Sequence, residues 1–66
     1  MNINSLRIKL LTAKSGFTLS LLAEKAGISR QTLSTSLTRN TCRADTALKI
    51  AQALEIPLEQ LIEKEI

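Results

Sequence analysis

Only three residues, Gly27, Ile28 and Ser29, separate two stretches that carry apolar side chains at helical spacing. Before the gap stand Leu22, Ala23 and Ala26; after it stand Leu33 and Leu37, four residues apart. Each set falls on one side of a helix. Gly27 can turn the chain left-handed at a helix end without a Cβ penalty. Ser29 then supplies the side-chain oxygen that caps the next helix. Thr18 does the same for the earlier one. Phe17 before it and Leu22 at its fourth position form a hydrophobic staple. A connection this short holds the two helices against each other at an angle, and Ile28 inside it is expected to plug into the core.

The rest of the chain fits around that junction. No stretch alternates with period two over the length of a strand, and turn signals recur at helix spacing. The expectation is an all-α chain of five short helices. The first runs from about Ser5 to Lys14, with Asn4 as N-cap. Leu6, Leu10 and Ala13, together with Leu11, give it a wide apolar stripe, and Ser15–Gly16 ends it. The second starts at Thr18 and closes at Gly27. The third ends around Thr38, and Arg39–Arg43 form a polar loop. A fourth spans about Ala44 to Leu54, with Ala47, Leu48, Ala51 and Leu54 inward and Ile50 joining them. Pro57 opens a fifth that carries Leu58, Leu61 and Ile62 toward the tail. At 66 residues the chain is expected to be one compact domain, 1–66, with its helix-turn-helix pattern over about 18–38.

Several kinds of chemistry lack their residues. There is one Cys and no His. A disulfide within the chain is excluded, and the usual zinc patterns are absent, so no metal or other cofactor is expected. Cys42 reads as a small, semi-buried thiol that fits a reducing cytosol. The apolar runs are too short for a membrane span. The start, MNINSLRIKLL, lacks the apolar length and small-residue cleavage site of a signal peptide. A cytoplasmic location is therefore expected. Catalysis has no imidazole, no base beside the Cys and no activated Ser, so no enzyme is expected.

Charge is unevenly placed. From Met1 to Arg43 seven bases, Arg7, Lys9, Lys14, Lys25, Arg30, Arg39 and Arg43, accompany one acid, Glu24. From Ala44 onward Lys49 and Lys64 face Asp45, Glu55, Glu59, Glu63 and Glu65. Such a molecule is expected to turn its basic end toward a polyanion, although a solvated surface with accidental asymmetry accounts for the charges equally well.

The third helix, GISRQTLSTSL with its turn, has unusual chemistry. Thr32, Ser34, Thr35, Ser36 and Thr38 are all weak helix formers. No acid lies between Lys25 and Ala44. A helix that enters a DNA groove about 12 Å wide needs short exposed side chains, no carboxylates near phosphate, and a few long side chains able to form bidentate bonds to base edges. Arg30 and Gln31 in the first turn meet the last demand, Thr35 lies four beyond Gln31, and Ser29, Thr32 and Ser34 are short hydroxyls. A solvated Ser/Thr-rich surface helix is the plainer alternative. Leu33 and Leu37 would anchor the inner face in either case.

Taken together, FTLSLLAEKAGISRQTLSTSL and ALKIAQALEIPLEQLI resemble the lambda-repressor-like, or XRE-type, helix-turn-helix family of phage repressors, Cro proteins and bacterial regulators. The resemblance covers roughly Leu6 to Ile62. Its landmarks are Leu22-Ala23, Ala26-Gly27, Ile28-Ser29, Thr32-Leu33 and the closing Ile50-Ala51, Ala53-Leu54. It implies a compact five-helix fold whose third helix enters the major groove while the second lies across its mouth. By position it implies base contacts from Arg30, Gln31 and Thr35, with Ser34 a weaker candidate. It implies phosphate contacts from Thr18, Ser29, Thr32 and the loop residues Arg39, Asn40, Thr41 and Arg43. The loop's own chemistry agrees, since Arg39, Asn40, Thr41 and Arg43 are donors with no competing acid expected. Leu19 and Leu21 stand where the family commonly has Gln and Glu; they either pack locally or offer a surface to a protein partner.

The leading expectation is a sequence-specific regulator of transcription that binds operator DNA with two half-sites as a homodimer, of phage repressor or Cro type. Leu58, Ile62 and Ile66 form the expected dimer seam. The alternatives are an antitoxin-type autorepressor and a protein-interaction module that kept the fold but lost DNA reading.

Overall fold

A computed structural model of the chain describes residues 1–62. Four α-helices carry the fold: α1 (Ser5–Lys14), α2 (Leu19–Ala26), α3 (Arg30–Arg39) and α4 (Ala44–Leu54). A single 3-10 turn, Leu58–Gln60, follows. The described residues form no strand, only two isolated antiparallel bridges.

The helix ends follow from their caps. Asn4 Oδ1 accepts from the Arg7 N–H at 3.0 Å, and Thr18 Oγ1 accepts from the Leu21 N–H at 3.1 Å. At α3, Ser29 Oγ accepts from the Thr32 N–H at 3.0 Å and donates to Thr32 Oγ1 at 2.7 Å. Gly27 ends α2 at φ 74°, the left-handed conformation that a Cβ disfavours. Asn40 closes α3 at φ 55°, where an Asn is better tolerated than most residues. Phe17 packs partly buried against the core, and Lys25 Nζ lies 5.0 Å from its ring centroid. Because α3 is built from weak helix formers, its cap matters. Replacing Ser29 by Ala is expected to cost about 0.5–2 kcal/mol. A loss of ~1 kcal/mol lowers Tm by roughly 4–8 °C in a domain this small, which a thermal melt followed by circular dichroism reads directly.

The core is drawn from every helix. Ile8, Leu22, Ala23, Leu33, Leu37, Ala47, Ile50, Ala51 and Leu54 are buried together with Ile3 and Leu61. Ile28 packs partly buried against them, as its place in the turn suggests. Ile3 was not expected in the core. It is held there by backbone bonds: its N–H donates to the Asn40 carbonyl at 2.9 Å, and the Asn4 N–H donates to the Leu61 carbonyl at 2.8 Å. The N-terminal residues thus clasp the α3–α4 loop on one side and the segment after the 3-10 turn on the other.

Three packing expectations are corrected. The Leu6, Leu10 and Ala13 side of α1 faces solvent, and the buried side carries Ser5, Ile8 and Thr12 with Leu11 packed at its edge. The reversal is possible because both hydroxyls are satisfied. Ser5 Oγ donates to the Leu37 carbonyl at 2.6 Å, and Thr12 Oγ1 donates to the Ile8 carbonyl at 2.7 Å. A buried hydroxyl with a partner carries little penalty. Leu48 also points outward, 46% exposed, because Ala47, Ile50, Ala51 and Leu54 already complete the inner side of α4.

The third correction concerns the segment after Pro57, which forms a 3-10 turn where a fifth helix was expected. Its bonds, Gln60 N–H to Pro57 O and Leu61 N–H to Leu58 O, span three residues, and the Leu61 carbonyl is taken by Asn4. Of the expected dimer seam, Leu58 packs against the chain's own core, Ile62 is half-buried with its backbone bridged to Ile3, and Ile66 lies outside the described residues.

Candidate nucleic-acid interface

The inner side of α3 is defined by Leu33, Ser36 and Leu37, all buried. At about 100° per residue the opposite side carries Gln31, Thr35 and Thr38, with Ser34 beside them. All four are exposed. This outer face holds one long side chain among short hydroxyls, and α3 has no acid in its first turn and a base, Arg39, in its last. Arg39 complements the partial negative charge at the helix C-terminus. Thr38 was not singled out from the sequence, although its spacing of seven from Gln31 places it on the same face.

Arg30 sits on the α2 side of this face. Its Nε donates to Ser20 Oγ at 3.3 Å, across the helix-turn-helix junction. That bond occupies one of five guanidinium donors and leaves the terminal nitrogens, the pair that forms a bidentate fork, open to solvent. Leu19 packs against the core beside Ser20, so no polar group stands at its position; Leu21 is at the margin of exposure.

On the other side, a shallow concavity of about 370 Å³ separates α3 from the start of α4. Gln31, Thr32, Thr35 and Ser36 line one wall, and Cys42, Arg43 and Thr46 the other. Two kinds of candidate therefore meet here: Gln31 and Thr35 from the base-reading group, Thr32 and Arg43 from the phosphate group. Arg30, Ser34, Thr18, Arg39, Asn40 and Thr41 lie outside the hollow. Burial pushes the Cys42 thiol above its ordinary pKa; nearby Asp45 adds to the rise, and the N-terminal ammonium opposes it. Cys42 therefore stays a neutral thiol at pH 7 and acts as an apolar part of the wall.

Arg43 is the N-cap of α4 but makes no side-chain capping bond. A cation there opposes the helix dipole. The loop was expected to hold its donors free of acids, and this is corrected at one point: Arg43 Nε lies 3.8 Å from Asp45 Oδ1. Both side chains are well exposed, so the pair is weak and readily exchanged. Thr41 also departs from expectation. Its hydroxyl donates to the Met1 carbonyl at 2.9 Å as part of the N-terminal clasp. Asn40 contributes its left-handed backbone to the end of α3. The Thr18 and Ser29 hydroxyls cap helices while remaining exposed.

This arrangement is two helices joined by a glycine turn, the second presenting a hydroxyl-rich, acid-free outer face. The family model for the Cro/C1-type HTH DNA-binding domain matches residues 7–65, and the chain belongs to that family. It is accordingly a helix-turn-helix DNA-binding domain of the lambda-repressor-like kind. No curated protein and no solved structure matches the chain. No helix among the described residues is long and apolar enough to cross a membrane.

Proposed function

We propose that the chain is a sequence-specific regulator of transcription, of phage repressor or Cro type, whose α3 lies in the major groove of operator DNA. The observation that carries this reading is the outer face of α3. Gln31, Ser34 and Thr35 stand exposed on one side of a helix that has no carboxylate to repel phosphate. Gln31 suits a bidentate bond to adenine, and Thr35 offers a methyl to thymine or a hydroxyl to either partner. The Arg30 guanidinium, braced by Ser20, presents its two terminal nitrogens to guanine N7 and O6. Thr18, Ser29, Thr32, Arg39, Asn40 and Arg43 form the phosphate-contacting set, while Thr41 drops out of it because its hydroxyl donates to the Met1 carbonyl and its N–H to the Ser36 carbonyl. The set fixes register and supplies most of the affinity and its salt dependence.

Regulators of this kind bind as dimers to two half-sites one helical turn apart, about 34–36 Å. We infer the same for this chain, acting in the cytoplasm as a homodimer. The acidic half from Ala44 onward supports an orientation that keeps that end away from the duplex.

Selection from a random duplex library, followed by binding titrations of the selected and a scrambled duplex at several salt concentrations, tests the reading. The expected result is a strong preference for the selected site and a steep fall of affinity with salt for both. Affinity that ignores both sequence and salt overturns it. Replacing Arg43 by Ala is expected to weaken every duplex to a similar degree and to reduce the log–log salt slope by about 1, because a phosphate contact carries no base information. Replacing Ser20 by Ala is expected to leave binding to the scrambled duplex unchanged and to blunt the preference at a single base pair, the one read by Arg30.

A further inference from the structure

One face of α1 is apolar where a surface helix is ordinarily polar. Leu6 is 68% exposed and Leu10 62% exposed, and Ala13 is exposed as well. Their spacing of four and three places them in one row, the i, i+4, i+7 pattern by which a helix presents anchors to a partner. The opposite side of the same helix already supplies Ser5, Ile8 and Thr12 to the core. Both sides of α1 therefore carry apolar residues, and the described residues cover only one of them.

The borders of this row are cationic. Arg7 and Lys14 follow one edge and Lys9 the other, and α1 contains no acid. Arg7 Nη2 donates to the neutral Gln60 Oε1 at 3.4 Å, so its charge is not neutralised by that contact. We infer that the Leu6–Leu10–Ala13 face of α1 docks an amphipathic helix of another protein, one whose apolar anchors are bordered by Asp or Glu.

Charge selects this occupant. A second copy packed α1 against α1 would bring two sets of Arg7, Lys9 and Lys14 together with no carboxylate on either helix, and like charges brought together across an interface disfavour it. An anionic lipid surface would match the cations. However, a helix of about three turns with two large apolar side chains and no aromatic on its open face is a poor membrane anchor. A helix with acidic flanks satisfies both the apolar row and its borders.

The face is also separate from the DNA-reading one. None of Leu6, Leu10 and Ala13 lines the hollow beside α3 or belongs to the outer face of that helix. The docking residues on α1 and the base-reading residues on α3 are therefore different side chains, and each can be altered without the other.

The test uses two stapled helical peptides with Leu at i, i+4 and i+7, one flanked by Glu and one by Lys, titrated into the full chain and followed by amide resonances. The expected result is preferential binding of the Glu-flanked peptide by about tenfold or more, with shifts concentrated on α1. Leu6→Ser/Leu10→Ser removes that binding and leaves Tm and duplex affinity unchanged. Lys9→Glu/Lys14→Glu reverses the preference in favour of the Lys-flanked peptide. Equal affinity for the two peptides, or no binding of either, overturns the proposal. So does self-association that Leu6→Ser/Leu10→Ser abolishes, and so does stronger binding to vesicles containing phosphatidylglycerol than to the Glu-flanked peptide. DNA affinity is measured separately, so failure here leaves the operator-reading proposal standing, and failure there leaves this one.

Discussion

Leu33→Ala is expected to remove about 2–5 kcal/mol of stability, a large share of the roughly 3–10 kcal/mol that a chain of this length holds. Leu33 is fully buried in the core that α2, α3 and α4 share. Ala is the best helix former, so the substitution favours the helix locally. Any loss therefore belongs to packing and the cavity left behind. This matters because α3 cannot hold itself: five of its ten residues are Ser or Thr, and helices this short are marginal without tertiary support. The control is Leu6→Ala, a change of the same chemistry on the exposed face of α1, expected to stay within about ±0.5 kcal/mol. Urea titrations of both variants decide the matter. A loss below about 1 kcal/mol at Leu33, or a larger loss at Leu6 than at Leu33, contradicts the packing described.

The contrast between those two leucines also shows where the sequence was legible. The spans of α1, α2 and α3 could be expected because their ends are chemical: Asn4, Thr18 and Ser29 accept backbone N–H groups, and Gly27 takes a left-handed φ. These signals act within four residues of one another. The buried face of α2 was legible from the spacing of Leu22, Ala23 and Ala26, against a single large apolar residue, Leu21, on the outer side. In α1 two rows competed, and the row with more apolar residues lost. Ser5 and Thr12 became acceptable inside only through carbonyl partners, and the Ser5 partner lies 32 residues away. Ile3 entered the core through long-range backbone bonds that no periodicity records. The same bonds engage the Leu61 carbonyl and accompany a 3-10 turn where an apolar pattern suggested a helix.

The candidate interface divides the same way. The outer face of α3 could be read from residue types and spacing, because exposure there is the complement of Leu33 and Leu37. The Arg30–Ser20 brace and the Thr41–Met1 bond could not, since each depends on where a separate segment comes to rest, whereas the Arg43–Asp45 pair is local, between residues two apart at the start of α4. These contacts sort the basic and hydroxylated residues by what they have left to offer. Arg30 keeps its terminal nitrogens, Arg43 keeps a charge only weakly paired, and the Thr41 hydroxyl proton is already donated within the chain.

Gln31→Ala is expected to weaken binding to the selected operator duplex by about 1–3 kcal/mol, roughly five- to 150-fold, and to relax selectivity at one base pair. Gln31 is exposed on the outer face of α3 and lines the hollow beside Thr35, so its removal opens no cavity and breaks no core contact. Ala at this position favours the helix, and Tm is expected to hold or rise slightly. Lost affinity is then a lost contact. The discriminating measurement is a set of duplexes, each altered at one base pair, titrated against the native chain and the variant. A base contact predicts that the variant loses affinity for the native site and little for the duplex altered at its target pair, so the two affinities converge. A phosphate contact predicts the same loss on every duplex, as expected for Arg43→Ala. If Gln31→Ala follows that second pattern, α3 does not read bases through its outer face, and the assignment of Thr35 and Ser34 beside it falls as well, because all three rest on the same exposure.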